Sequence, residues 1–294
     1  MIKACIFDLD GTIADTVESI AHAVNRVLEH FGLVPRPVEA FNFYAGDGFD
    51  LAVERALKDA GDAELNYLQE GIRLGRAWFN EDPLYHVKPY PNMRETLTAL
   101  REEVPIAVCS NKPHEAAIHV VESVYGPGFF NRIQGQTAEI PRKPSPIGAL
   151  AIADALGARP EECLYFGDTN TDMQTGNAAG MFTVGVTWGF RPRQELIDNH
   201  AMELLDRPEE ILTLFHRKIK RTEEKTRMGE YTEECINTFL MNQGQLFDEP
   251  VAENYDEAEA FLEDCLAVVA DNLDDVRAYM EEEGMDVEEM SDAE

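Results

Sequence analysis

The feature that most limits how this chain can fold is a recurring unit. A short apolar run stops at a polar or acidic cluster, and a stretch with helical periodicity follows. Residues 3–8 (Lys-Ala-Cys-Ile-Phe-Asp) form the first run, and the turn Asp10-Gly11-Thr12 follows it. Pro105 to Cys109 lead into Ser110-Asn111, Glu162 to Phe166 into Gly167-Asp168, and Phe182 to Val186 make another run. A weaker run near 131–136 precedes Lys143. Helical spacing is predicted over about 92–102, 113–125, 145–157 and 171–180. Strands covered on both faces read as continuous apolar runs, and alternation with helices predicts a parallel α/β sheet.

Two segments depart from this rhythm. Between the first run and Tyr90-Pro91 the signal is helical. Val17, Ile20, Ala21, Val24, Val27, Leu28 and Phe31 recur at helical spacing, Gly32 and Pro35 stop that helix, and 50–60 and 64–79 follow suit. Hence about 15–87 is predicted as a helical insertion. At the other end, residues 229–294 hold 22 acidic residues against the single basic Arg277. A basic bridge, His216 to Arg221, precedes this tail, which has amphipathic patterns at about 231–243 and 255–282, with Pro250 between them.

The formal net charge is −31, of which about −21 falls after residue 228. A surface so acidic repels phosphate backbones, which argues against nucleic acid as a partner. No apolar stretch is long enough to cross a membrane, and no signal peptide is evident, so the expected compartment is the cytoplasm. The five cysteines (Cys5, Cys109, Cys163, Cys235, Cys265) are scattered without a C-x-x-C pair, which predicts buried thiols rather than disulfides or zinc.

Ligands bind an open parallel sheet at the carboxyl ends of its strands. Clusters more than 150 residues apart in sequence can therefore meet in one crevice. Each cluster has an ordinary alternative: Asp10-Gly11 as a plain turn, Ser110-Asn111 as a helix cap, Lys143 as one lysine beside prolines, and Asp172 as a first-turn acid complementing a helix dipole. Their order and content, however, occur together. Phe7-Asp8-Leu9-Asp10-Gly11-Thr12, Cys109-Ser110-Asn111-Lys112-Pro113, Arg142-Lys143-Pro144 and Gly167-Asp168-Thr169-x-x-Asp172, followed by Ala178-Ala179-Gly180, resemble the haloacid-dehalogenase-like hydrolase superfamily, and within it the phosphoglycolate-phosphatase-like branch. The resemblance covers about residues 1–215 and leaves the acidic tail unassigned.

The resemblance implies a Rossmann-like parallel sheet with an inserted helical cap, plus a small C-terminal helical extension. The expected divisions are a core of 1–14 and 88–217, a cap of 15–87 and an acidic extension of 218–294. It implies a phosphatase acting on a small phosphorylated metabolite such as phosphoglycolate. Asp8 would be the nucleophile and Asp10 the acid and base, since a carboxylate that attacks phosphorus divides one hard displacement into two easier ones. Ser110 and Lys143 would donate to the phosphoryl oxygens, and Lys143 would also keep Asp8 ionised. Gly11, Thr12 and Asn111 are expected at the substrate. Asp8, Asp168, Asp172 and the carbonyl oxygen of Asp10 would hold Mg2+, a hard cation suited to oxygen ligands. Thr16, Tyr44, Gly46, Arg55 and Lys88 are candidate contacts from the cap, where Tyr44-Ala45-Gly46-Asp47-Gly48 resembles a glycine-bearing cap loop of that branch. The alternatives are a sugar phosphomutase on the same scaffold and a regulatory protein acting through its acidic tail, which would dock on this chain or on a protein partner.

Overall fold

The computed structural model describes residues 2–220. The predicted tail helices and Cys235 and Cys265 lie outside the described residues. Six strands form one parallel sheet: β1 (Ala4–Phe7), β4 (Ile106–Pro113), β5 (Arg132–Gln136), β6 (Cys163–Gly167), β7 (Phe182–Val186) and β8 (Glu203–Leu205). Their order is β5-β4-β1-β6-β7-β8, so the chain leaves the central β1 toward both edges. That reversal opens a crevice beyond the carboxyl end of β1.

The apolar runs become strands because both faces of the sheet are covered. Side chains alternate along a strand. Cys5 and Phe7 of β1 join Ile106 and Val108 of β4 and Leu164 and Phe166 of β6 in one buried cluster. Ala4 and Ile6 join Ala107, Cys109, Cys163 and Tyr165 in the other. Phe7 and Phe166, partners in register, stack with ring centroids 4.6 Å apart. Cys5, Cys109 and Cys163 are buried free thiols, as expected. Flanking helices are α5 (Met93–Leu100), α6 (His114–Tyr125), α7 (Ile147–Ala155), α8 (Asn170–Ala178) and α9 (Arg193–Asp198).

The stretch after β1 is helical, with one addition. α1 (Val17–His30), α2 (Phe41–Tyr44), α3 (Phe49–Asp59) and α4 (Leu68–Glu81) pack around their own apolar cluster, which includes Val24, Val27, Leu28, Val53, Leu57 and Phe79. At its base, two-residue strands β2 (Ala14–Asp15) and β3 (Lys88–Pro89) pair antiparallel, Ala14 with Pro89 and Asp15 with Lys88. The insert thus enters and leaves through one narrow ribbon. β8, α9 and a helix over 210–220 extend the sheet side beyond the predicted elements. Among the described residues, no helix is long and apolar enough to cross a membrane.

Candidate active site

The crevice is built by strand ends and two tight loops. Asp8 follows β1, and its N–H still donates to Phe166 O at 2.9 Å. The chain then folds back at once: Leu9 O accepts from the N–H groups of Thr12, Ile13 and Ala14, while Gly11 N–H donates to Ala14 O. Gly11 has φ +86, and a Cβ there would lie 2.2 Å from Asp168 Oδ2. Glycine is needed on both counts, conformation and space. Asp168 follows β6 and is fixed by two donors, the Thr12 hydroxyl at 2.8 Å and the Phe190 N–H at 2.8 Å. Asp172 lies in the first turn of α8, where its Oδ2 accepts from the Thr169 hydroxyl and N–H and closes a capping box. The ordinary role weighed for Asp172 therefore exists, alongside a second one.

That second role is shared. Carboxylate oxygens of Asp8, Asp168 and Asp172 all lie within 4.8 Å of one another, and all three residues are buried. Lys143 Nζ stands 2.6 Å from Asp172 Oδ1 and 2.7 Å from Asp8 Oδ1. The angles of the Asp8 contact leave Oδ1 without a directed hydrogen bond. Burial and the Asp172 charge push the Asp8 pKa well up, with Lys143 opposing them. Burial and Asp172 likewise push Asp168 up to about 7, against the Phe190 and Thr12 donors. Burial also works against the charge on Lys143, but Asp172 and Asp8 outweigh it and hold its pKa above the usual lysine range. One lysine thus faces three acids. The residual repulsion, the all-oxygen donor set and the incompletely bonded Asp8 Oδ1 fit a small hard divalent cation.

The carboxylate of Asp10 is not in this cluster. Lys112 Nζ holds both its oxygens, at 2.9 and 3.0 Å. Ser110 and Asn111, expected beyond a strand end, lie inside β4, which continues to Pro113 through a register shift against β5 after Cys109. The Lys112 N–H donates to Ser110 Oγ at 3.2 Å. Asn111 Oδ1 accepts from Lys143 N–H at 2.7 Å, and its Nδ2 donates to Gly46 O at 3.2 Å. Asn111 thereby fixes the backbone beside Lys143 and ties it to the insert. Thr12 is bonded to Asp168, and Gly11 backs the same carboxylate.

Asp8, Asp10 and Ser110 share a cavity of about 560 Å³ between sheet and insert, also lined by Lys112, Arg76 and Arg142. Of the contacts expected from the insert, Gly46 lines this cavity. The others do not line it. Arg55 pairs with Asp47, the Tyr44 hydroxyl donates to Asp59, Lys88 lies 3.9 Å from Asp15, and the buried Thr16 hydroxyl has no protein partner. Lys112 and Arg142 sit within the strings that carried the family resemblance, so their positions were readable but their contacts were not. Nothing in the helical periodicity singled out Arg76.

Comparison with known proteins agrees with this architecture. Residues 5–186 match the haloacid dehalogenase-like hydrolase family. A phosphoglycolate phosphatase from Aquifex aeolicus is 32% identical over 218 residues, covering 69% of this chain and 100% of that protein. Another, from Chromobacterium violaceum, is 32% identical over 212 residues, covering 70% of this chain and 96% of that protein. A haloacid dehalogenase-like family hydrolase from Streptococcus pneumoniae superposes with a TM-score of 0.66 at 23% identity, over 73% of this chain and 98% of that one. The strand-end carboxylates, the inserted helices and these matches place the chain in the haloacid dehalogenase-like hydrolase family, as a phosphatase-type enzyme of the phosphoglycolate-phosphatase-like branch.

Proposed function

We propose that the chain is a magnesium-dependent phosphatase that hydrolyses a small phosphomonoester through an aspartyl phosphate on Asp8. The observation that carries the reading is the buried trio Asp8, Asp168 and Asp172 meeting Lys143 in the crevice beyond β1. In this reading a small ester lies in the cavity with its phosphorus against Asp8. Phosphoglycolate, the substrate named for the relatives, is the first ester to test. Residues 15–87 act as a cap on the core of 1–14 and 88–217.

Asp8, Asp168, Asp172 and the Asp10 carbonyl are the proposed holders of Mg2+. When bound, that ion supplies positive charge against which an anionic nucleophile and an anionic phosphoryl group can approach. The chain's own groups do the rest. An Asp8 oxygen forms a bond to phosphorus as the ester P–O bond breaks, and Asp10 in its acid form gives the departing oxygen its proton. Water then attacks phosphorus, Asp10 takes the water proton, the Asp8–phosphorus bond breaks and phosphate leaves. Ser110 Oγ already accepts from the Lys112 N–H, so its own proton is free to turn toward a phosphoryl oxygen, as is the one proton of Lys143 Nζ that faces neither Asp8 nor Asp172. The Gly11 turn, whose own N–H groups are spent inside the loop, sets the shape of the loop beside Asp8, with Thr12 and Asn111 holding the site's frame.

The test is phosphate release from a panel of small esters by the purified chain, with magnesium and with chelator. Magnesium-dependent release with a clear preference is expected. No release, together with conversion of a sugar phosphate into its isomer, would replace the phosphatase reading with a mutase.

A further inference from the structure

Lys112 stands apart from the residues that define the family strings' usual roles, yet its surroundings are unusually specific. Its side chain is only 7% exposed. Its ammonium is nearly equidistant from the two oxygens of Asp10, at 2.9 and 3.0 Å. Its backbone N–H reaches Ser110 Oγ. The ammonium also lies over the ring of Phe79, from α4 of the insert, with the centroid 5.1 Å from Nζ. A buried lysine needs its charge matched, and here the match comes from a catalytic candidate and an aromatic face. The face of an aromatic ring attracts a cation, so the position of Nζ depends on where the insert sits.

A single-point contact to a carboxylate leaves it free to swing. Two near-equal contacts fix both its direction and its plane. We infer that Lys112 is a positioning residue: it aims the Asp10 carboxylate for the attack of water on the phosphorylated Asp8, and Phe79 of the insert holds Lys112 in place for this task. The inference rests on the proposed phosphatase mechanism and assigns Lys112 to its second half. In that half, water oxygen bonds to phosphorus, its proton passes to Asp10, and the Asp8–phosphorus bond breaks with its electrons returning to Asp8. Lys112 itself neither gives nor takes a proton.

The test is rapid-mixing kinetics on the full chain with magnesium and para-nitrophenyl phosphate, a substrate whose leaving group departs without protonation. Lys112→Met keeps the unbranched apolar stem and removes the charge. A base misplaced by about 1 Å can lose on the order of a hundredfold in rate. The expected result is a nitrophenolate burst within about twofold of wild type, a steady-state rate lower by about tenfold or more, and acid-quenched phosphoenzyme that accumulates. If the Met variant does not fold, Lys112→Arg, which keeps the charge but shifts the donors, should show the same signature in smaller measure. Burst and steady state falling together with no phosphoenzyme build-up would overturn the inference, and so would wild-type turnover in the variant. A wild-type chain that forms no phosphoenzyme on Asp8 would instead overturn the mechanism beneath it.

Discussion

At the scale of single residues, the site is a contest between burial and charge. Three carboxylates and one lysine lie almost wholly buried together, and the acids outnumber the cation. Burial resists ionisation of Asp8 and Asp168, and the neighbouring Asp172 raises the cost further. Removing Asp168 therefore removes both a proposed magnesium donor and a source of repulsion. Asp168→Ala is expected to raise the magnesium concentration for half-maximal turnover by at least about tenfold, read from a titration of rate against magnesium. An unchanged midpoint would mean that Asp168 is not a ligand. Most of these groups were legible in the sequence, because each sits in a short string with a fixed neighbour. Lys112 was legible only as a letter. Its meaning depends on Asp10 and Phe79, which lie 102 and 33 positions away in the chain. A spacing of that kind leaves no periodic trace.

At the scale of elements, the sheet was the most readable part. Its inner strands carry buried side chains on both faces, so the runs at 4–7, 106–109 and 163–166 are uninterrupted. The weakly apolar β8, at the edge, carries Glu203 and is three residues long, too short to announce itself. The two-residue ribbon of β2 and β3 is shorter still. The polar end of β4 was expected to be loop; backbone pairing with β5 carries the strand past the apolar run, through a shift in register. The loop after β1 yields a sharper expectation. Gly11→Ala would place a methyl group on the Asp168 carboxylate and force a left-handed backbone. The backbone alone costs about 1–2 kcal/mol, and the crowding adds to it. The variant should unfold at lower denaturant and bind magnesium more weakly, because the clash falls on a proposed ligand. Within the core, Phe7→Ala removes the ring stacked on Phe166 and should cost about 3–5 kcal/mol in a denaturant titration.

At the scale of the whole molecule, the surface is acidic and its ionic ties to the core matter most as pH falls. Glu162 is the clearest case. It accepts from Arg159 N–H and pairs with Lys3 at the start of β1 and with the Arg159 side chain, and these contacts lower its pKa from 4.5 to about 2 against the effect of burial. A carboxyl group lowered in the folded state stabilises that state above its unfolded pKa. The contribution is lost as pH falls from about 4.5 toward 2. Denaturant midpoints of wild type and Glu162→Gln should therefore differ at pH 7 and converge as pH approaches 2. A gap that stayed constant with pH would contradict the assignment.

The same whole-molecule view explains why the insert matters to chemistry. Asn111 reaches Gly46, Thr171 reaches Asp47, Arg191 reaches Ala45 and Arg142 reaches Asp50, so one loop of the insert is tied to several strand-end segments of the core. The cavity lies under that loop, with Asp8 at its floor. Everything proposed for this enzyme depends on Asp8 being the atom source that attacks phosphorus. The most direct measurement compares magnesium-dependent phosphate release by wild type and by Asp8→Asn on the best ester of the panel, with melting curves to confirm that both are folded. The variant keeps the shape and loses the nucleophile, so release should fall to background while the fold persists. Turnover near the wild-type rate in a folded Asp8→Asn protein would contradict the account.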